Sequence, residues 1–292
     1  MLFRSQASPT RMSFLKTIFA VVATLVFLSA ASAGEIPVKV PNHKVSDWTG
    51  VYAGASLGAK WGSAAWTTRS VALPPGYNSF LDASASRGYG STSARFGIYL
   101  GYNWQFASRW VGGVEFDWAY SKNDRTAAGI PGCSIDCTGG TPGPANDLSA
   151  VKLGWDASAR LRLGHLISPS VMVYSSGGLA WQKLKSSVTC QFSPPDPFCL
   201  EETGDPFVTT TNSTIRTGWT VGGGVENKIF ENWILRADYR YSTFGRTSIH
   251  STLISPPNPG NLNSVDYDLK INTHIATVGV AYQFGALPTS KQ

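Results

Sequence analysis

Charged side chains recur at every second residue in several short stretches of this sequence. Arg160 and Arg162 alternate with leucine and alanine, while Glu115 and Asp117 alternate with valine, phenylalanine and tryptophan. Successive side chains of a strand point to opposite faces, so each stretch predicts a strand with one apolar and one charged face. Adjacent strands lie about 4.8 Å apart, which lets long charged side chains form ion pairs across them.

Eleven charged residues, six cationic and five anionic, fall on this predicted polar face. They are Lys60, Arg95, Glu115, Asp117, Asp156, Arg160, Arg162, Glu226, Arg236, Asp238 and Arg240. Charges removed from water must pair or stay hydrated, and these nearly balance. The pattern therefore favours a structural ion-pair network that blocks an enclosed bore. A narrow water path that weakly favours anions is the alternative.

Catalytic chemistry has little support in the sequence. Of the four histidines, only His250 lies in a predicted long loop, with Ser248, Ser251 and Asp266 in the same region. These residue types are common in any loop, so we expect no enzyme activity. The sequence offers no Gly-rich phosphate loop and no cluster of metal ligands, so we expect neither a cofactor nor a metal.

The four cysteines lie in two local pairs, Cys133 with Cys137 and Cys190 with Cys199. In an oxidising compartment such pairs predict disulfides, and the spacing favours the two local connections among the three that four cysteines allow. Zinc binding is the competing interpretation. It would call for a Cys-x2-Cys motif or a nearby histidine, and the sequence has neither.

The amino terminus has the pattern of a secretory signal. A positively charged start precedes the apolar stretch TIFAVVATLVFLSA, and a small-residue cleavage site ends at Ala33. An uncleaved membrane anchor is the alternative, but the apolar stretch is short for one. Met12 is an alternative initiator. We predict a cleaved signal at 1–33, a periplasmic tail at 34–47, a barrel at 48–284 and a carboxyl-terminal tail at 285–292.

The composition is that of neither a disordered chain nor a bundle of membrane helices. Charged residues make up 14%, whereas an ordinary soluble domain has about 25%. Aromatic residues make up 12%, and mean hydropathy is only −0.06. The formal charge is +6, but three of its cations, Arg4, Arg11 and Lys16, precede the predicted cleavage site. We therefore see no signature of nucleic-acid binding.

Alternation of apolar and polar residues recurs in eight runs, each of about the length that a tilted strand needs to cross a bilayer. The connections alternate between short, at 107–109, 165–170 and 228–232, and long, near 62–93, 122–151, 186–214 and 246–271. Short turns on one side and long loops on the other are typical of an outer-membrane barrel. The Ser/Thr-rich stretches VTTTNST and SPPNPGNLNS predict flexible loops.

A soluble eight-stranded barrel of the lipocalin type is the alternative, with its apolar face inward. Two features favour the membrane barrel. Glycines crowd the polar face, where a narrow lumen needs small neighbours beside large side chains. Tryptophans cluster near the strand ends and predict aromatic girdles at the two bilayer interfaces. The predicted girdle comprises Trp48, Trp61, Trp104, Trp110, Trp181 and Trp233.

Seven stretches in order resemble one family. They are DWTGVYAGASLGAKWG, RFGIYLGYNWQF, WVGGVEFDWAYS, GWDASARLRLGHL, VYSSGGLAW, GWTVGGGVE and LRADYRYSTFG. They look like the small outer-membrane β-barrel proteins of alphaproteobacteria, called porin-family or outer-membrane immunogenic proteins, of the OmpA-like type. The resemblance implies an all-β, eight-stranded, up-and-down antiparallel transmembrane barrel in a Gram-negative outer membrane, with four long extracellular loops and short periplasmic turns.

The resemblance also implies surface exposure, a role in envelope integrity or host contact, and no catalytic residues. The partners it implies are outer-membrane lipid and lipopolysaccharide, host or cell-surface ligands at the loops, and the assembly machinery, which reads the last strand through Val280, Tyr282 and Phe284. Two features depart from the family pattern. Phe284 is followed by GALPTSKQ rather than ending the chain, and the paired loop cysteines are not general in the family.

Overall fold

The computed structural model describes residues 47–72, 81, 85–133, 147–191, 207–230, 232–252 and 264–285. These residues form nine antiparallel strands. The strands are β1 (Gly50–Ala72), β2 (Ser86–Ala107), β3 (Trp110–Ser121), β4 (Asn123–Ala128), β5 (Leu148–Leu166), β6 (Val171–Gln191), β7 (Phe207–Lys228), β8 (Trp233–Thr252) and β9 (Ser264–Gln283). No helix within these ranges is long and apolar enough to cross a membrane.

The strands close into a ring. Apart from β3 and β4, which do not pair with each other, strands that follow one another in the sequence are paired. In addition, β1 pairs with β9 and β3 pairs with β5. The short strand β4 continues β3 beyond Lys122 and pairs with β5 alone. Counting β3 and β4 as one interrupted strand gives the eight-stranded antiparallel barrel that the sequence predicts, and this fold class is confirmed.

Short turns join β2 to β3, β5 to β6 and β7 to β8 at one end of the barrel, which we call the turn end. The opposite end, which we call the loop end, carries the four longer connections. Most strands have 19–23 residues, about twice the length needed to cross a bilayer. The predicted long loops are thus in large part strand. The stretch Val208–Thr214, predicted to be flexible, lies in β7 and pairs with β6.

The outer face of the barrel changes character along each strand. On β9, Val278 and Val280 point outward and are about two-fifths exposed, at 42% and 41%. Toward the loop end, the outward positions of the same strand hold Asp266, Asp268 and Lys270. His274 lies between the two zones. The apolar zone near the turn end is therefore the part of the barrel that lipid covers, and we call it the lipid zone.

Aromatic side chains border this apolar zone. At the turn end, Trp104, Trp110 and Trp233 are 60%, 42% and 45% exposed. Trp61 and Trp181 lie on the outer face at the other border of the zone. Trp219, which the predicted girdle omits, also points outward there, and its ring contacts that of Tyr241.

Trp48 does not belong to the girdle, and that prediction is wrong. Its side chain is fully buried across the turn-end mouth of the barrel, where its Nε1 donates to the carbonyl of Pro169 at 3.1 Å. Lys228 Nζ lies 4.8 Å from its ring centroid and also donates to the carbonyl of Asp47. Trp48 precedes β1, so strand alternation says nothing about its direction, and the chain before the strand folds inward over the mouth.

A bulge in β5 reverses one predicted facing. The sequence pattern places Leu153 on the same face as Ala157, but the register of β5 against β6 shifts between Leu153 and Asp156. Leu153 consequently points inward, where it is buried. One extra residue in a strand turns every following side chain to the other face.

Two apolar clusters fill the ends of the lumen. At the turn end, Trp48 and Tyr52 pack with Met172, Ile234 and their neighbours. At the loop end, Trp66 stacks on Tyr267 with ring centroids 3.7 Å apart, within a cluster that includes Leu184. The barrel beyond the lipid zone therefore has an apolar interior and a polar exterior, like a soluble barrel.

The ring is incompletely paired on its loop-end side. The ladder between β2 and β3 ends at Arg95 and Ser121, and β4 bonds only to β5. The buried side chain of Asn123 spans the resulting seam. Its Nδ2 donates to the carbonyls of Lys60 and Ser91 at 3.0 and 3.3 Å.

Candidate functional site in the barrel lumen

The eleven charged residues named from the sequence all point into the lumen, between the two apolar clusters. Each is at most 6% exposed. They come from β1, β2, β3, β5, β7 and β8, because strict alternation turns these positions to one face on each strand. Together they form one connected set of ion pairs, which we call the lumen network.

Glu115 on β3 is the centre of the half of the network nearer the turn end. Its carboxylate accepts from Arg160 at 2.5 Å and from Arg236 at 2.6 Å, and Arg162 lies 3.4 Å away. The hydroxyl of Tyr52 donates to the same carboxylate at 2.7 Å. Four donors from three other strands thus converge on one buried acid.

Glu226 on β7 pairs with two of the three arginines that contact Glu115. Its Oε1 lies 2.6 Å from Arg162 and 2.5 Å from Arg236. The guanidinium of Arg162 lies 4.0 Å from the ring centroid of Tyr174, and that of Arg236 lies 4.2 Å from Tyr99. The aromatic faces favour the cations and shield them from water.

Asp156 on β5 is the centre of the half nearer the loop end. Lys60 Nζ lies 2.9 Å from its Oδ2 and also donates to Gln182 at 2.6 Å. Arg95 bridges Asp156 at 2.7 Å and Asp117 at 2.6 Å. Gln182, which the sequence interpretation omits, satisfies the second bond of the lysine.

Arg240 and Asp238 join the two halves. Arg240 lies 2.9 Å from Asp117 and 3.9 Å from Asp238. Asp238 in turn pairs with Arg160 at 3.4 Å and accepts from Tyr174 at 2.7 Å. The ion pairs therefore run without a break from Lys60 on β1 to Glu226 on β7.

Glycines make room for the large lumen side chains. A Cβ atom at Gly101 would collide with the ring of Tyr52, and one at Gly54 would lie 2.5 Å from the ring of Tyr99. The abundance of glycine on the polar faces thus has a steric cause, and larger residues at these positions would displace the aromatic rings that contact the arginines.

The serine, histidine and aspartate residues near the loop end do not form a catalytic triad. His250 Nδ1 lies 2.6 Å from Asp266, and this bond holds the pKa of the Asp266 carboxyl below its usual value. Ser248 instead donates to Asp268, while Ser251 points inward, where it is buried. Within the described ranges, no cluster of three or more potential metal ligands is present.

Cys133 is disulfide-bonded in the structure. Cys137 and Cys199 lie outside the described residues, and the side chain of Cys190 is likewise not described. The two local connections, Cys133–Cys137 and Cys190–Cys199, therefore remain predictions. The predicted signal at 1–33 also lies outside the described residues, as does nearly all of both predicted tails.

Comparison with known proteins places the chain in a family. Residues 19–284 match the family model described as outer membrane protein beta-barrel domain, and the chain belongs to this family. The 31 kDa outer-membrane immunogenic protein of Brucella melitensis is 28% identical over 92% of this chain and 100% of its own length. The 25 kDa outer-membrane immunogenic protein of Brucella abortus is 25% identical over 94% of this chain and 100% of its own length.

Among solved structures, the outer membrane protein OprG of Pseudomonas aeruginosa is similar with a TM-score of 0.46 and 12% identity, over 82% of this chain and 97% of that one. The family match and the two Brucella relatives confirm the alphaproteobacterial outer-membrane barrel family expected from the sequence. The protein resides in the outer membrane of a Gram-negative bacterium.

Proposed function

We propose that this protein is a closed, non-enzymatic barrel that contributes to the integrity of the outer membrane and presents its loop end as a contact surface. The observation that carries this proposal is the continuous lumen network. Its arginines are in contact with acids and aromatic rings, and apolar clusters close the lumen above and below. A permeant solute would have to displace ion pairs in a space with little water, at a cost of several kcal/mol.

A narrow path for anions is the second candidate function. Six cations face five anions in the network, and Arg216 also lies on an inward position of β7, opposite Gln182. Its Nε is buried without a hydrogen-bond partner among the described residues. An excess of buried positive charge favours anions over cations in any water path that does form.

Outer-membrane lipid and the assembly machinery are the partners that we propose for the barrel wall. Val280 on β9 and Phe284, which directly follows β9, are exposed, and the ring of Tyr282 contacts those of Trp233 and Phe284. This gives the end of β9 an outward apolar and aromatic edge, available to a receptor. Host or cell-surface ligands are a further proposed class of partner at the loop end.

Deletion of the gene separates the two candidate functions. We expect the deletion strain to become sensitive to bile detergents and to regain resistance with wild-type protein. Uptake of small anionic solutes should not fall. A strain with slower anion uptake and unchanged detergent resistance would contradict the structural role and support the channel.

A further inference from the structure

Four lysines crowd one side of the outer surface, just beyond the lipid zone. Lys122 lies between β3 and β4, Lys152 is on β5, and Lys183 and Lys185 are on β6, so the group spans adjacent strands. All four alternate with inward residues and thus point outward. We call this group the lysine patch.

Aromatic residues place the lysine patch at the border of the lipid zone. Along the chain, Tyr120 precedes Lys122 by one outward position, and Trp181 precedes Lys183 by one outward position. Tyr120 is 55% exposed on the same outer face as Trp118. Aromatic belts mark the level of the lipid headgroups, so the lysines meet the headgroup layer of the outer leaflet.

The patch is poorly compensated by the protein itself. Lys152 and Lys185 lie directly opposite each other in the ladder between β5 and β6. Like charges at such positions destabilise a sheet. None of the four lysines makes an ion pair within the described part of the chain, although Asp124 faces Lys152 from β4. The aliphatic part of the Lys183 side chain packs beside Gly154, which lies in the bulge of β5 and has no side chain.

The opposite side of the barrel shows the contrast. There Arg69 and Arg246, which are also outside the lipid zone, both pair with Asp268 at 2.5 and 3.5 Å. Among the described residues, an acid therefore lies where Arg69 and Arg246 meet, whereas Asp124 is the one acid placed beside the four lysines. An external anion in the headgroup layer would complete the patch.

We propose that the lysine patch binds the phosphate groups of a phosphorylated glycolipid of the outer leaflet, of the lipid A type. This inference rests on the proposed orientation of the barrel, with its loop end outward, and not on whether the lumen is closed. Lysine ammonium groups around a phosphate form charge-assisted hydrogen bonds. The aromatic residues next to them would contact the proximal acyl chains.

The test compares wild type with the triple variant Lys152→Gln, Lys183→Gln and Lys185→Gln, both refolded as the full mature chain in detergent micelles. Lys270→Gln is the matched control, because Lys270 is an exposed lysine beyond the lipid zone on β9. Binding of diphosphorylated lipid A and of its dephosphorylated form is measured by native mass spectrometry, with inorganic phosphate as competitor.

We expect the triple variant to bind diphosphorylated lipid A at least about tenfold more weakly, because it lacks three cations that attract an anionic headgroup. The control should bind as wild type does, and inorganic phosphate should compete poorly because it lacks acyl chains. Without lipid A, the triple variant should unfold at a temperature at least as high as wild type, because repulsion between Lys152 and Lys185 is gone.

Two outcomes would overturn the proposal. One is binding by the triple variant within twofold of wild type, and the other is equal binding of the dephosphorylated lipid. A wild-type barrel that conducts ions but shows the expected lipid A binding would contradict only the closed-barrel function and would support this site. The two failures are therefore distinguishable.

Discussion

Neutralising Glu115 and Asp117 together removes an acidic partner from each of the five arginines of the lumen network. Glu115 contacts Arg160, Arg162 and Arg236, and Asp117 contacts the remaining two arginines of the network. The substitutions Glu115→Gln and Asp117→Asn keep the volumes and remove the charge. Five arginines would then share three acids in a space with little water.

The expected loss of stability follows from the burial of these groups. Removing one partner of a buried ion pair costs about 3–5 kcal/mol, because the other charge remains buried and uncompensated. The two sites are coupled, since Asp238 contacts both Arg160 and Arg240, so their effects are not additive. We therefore expect each single variant to lose about 3–5 kcal/mol and the double variant to lose more than about 5 kcal/mol.

Equilibrium unfolding in urea of protein refolded into lipid vesicles measures this loss, and the same samples can be examined for conductance. Asp266→Asn is the control, because the Asp266 side chain is 45% exposed and pairs on the outer surface with His250, which is 62% exposed. The control should shift the unfolding midpoint far less. If the double variant has the midpoint of wild type and stays silent in a bilayer, the network contributes no stability and the reasoning is refuted.

Three further variants or measurements test other parts of the structure. Trp48→Ala should lower the free energy of unfolding by about 3–5 kcal/mol in vesicles, because it empties the turn-end mouth, whereas a loss no greater than that of lipid-facing Trp104→Ala would contradict this role. Asn123→Ala should lose about 1–3 kcal/mol and speed amide exchange in β2 beside the seam, since the side chain bonds two carbonyls there; unchanged exchange would count against the bridge. Mass spectrometry of non-reduced peptides should show Cys133–Cys137 and Cys190–Cys199, with only a small effect of reduction on stability because the loops are short; a link between the pairs would disprove this connectivity.

Alternation in the sequence is enough to predict which charged residues enter the lumen. Arg160 and Glu115 point inward because a regular strand leaves no other direction for their positions. The particular partners do not follow from alternation, because register and side-chain length decide which arginine reaches which acid. Gln182 illustrates the limit, since nothing in the pattern marks a neutral side chain as the second partner of Lys60.

The predictions fail where regular alternation ends, or where the apolar face of a strand points inward instead of outward. Trp48 lies before the first strand, and Leu153 lies beyond a bulge, so neither direction follows from counting. In the outer half of β9, Val265 and Leu269 point inward while Asp266 and Asp268 point outward. Water covers the outside of the barrel there, so apolar residues turn inward and polar residues turn outward. A strand with a Ser/Thr-rich outer face resembles a loop in composition.

Single-channel recording of the refolded wild-type protein in a planar bilayer tests the central claim, that the lumen network closes the barrel, most directly. At neutral pH and moderate salt we expect no discrete conductance steps above the background of the bilayer alone. Protein heated before reconstitution serves as the control for leak from unfolded chains. Reproducible steps that appear only with folded wild-type protein would contradict the claim, and selectivity of those steps for anions would identify the barrel as the narrow channel instead.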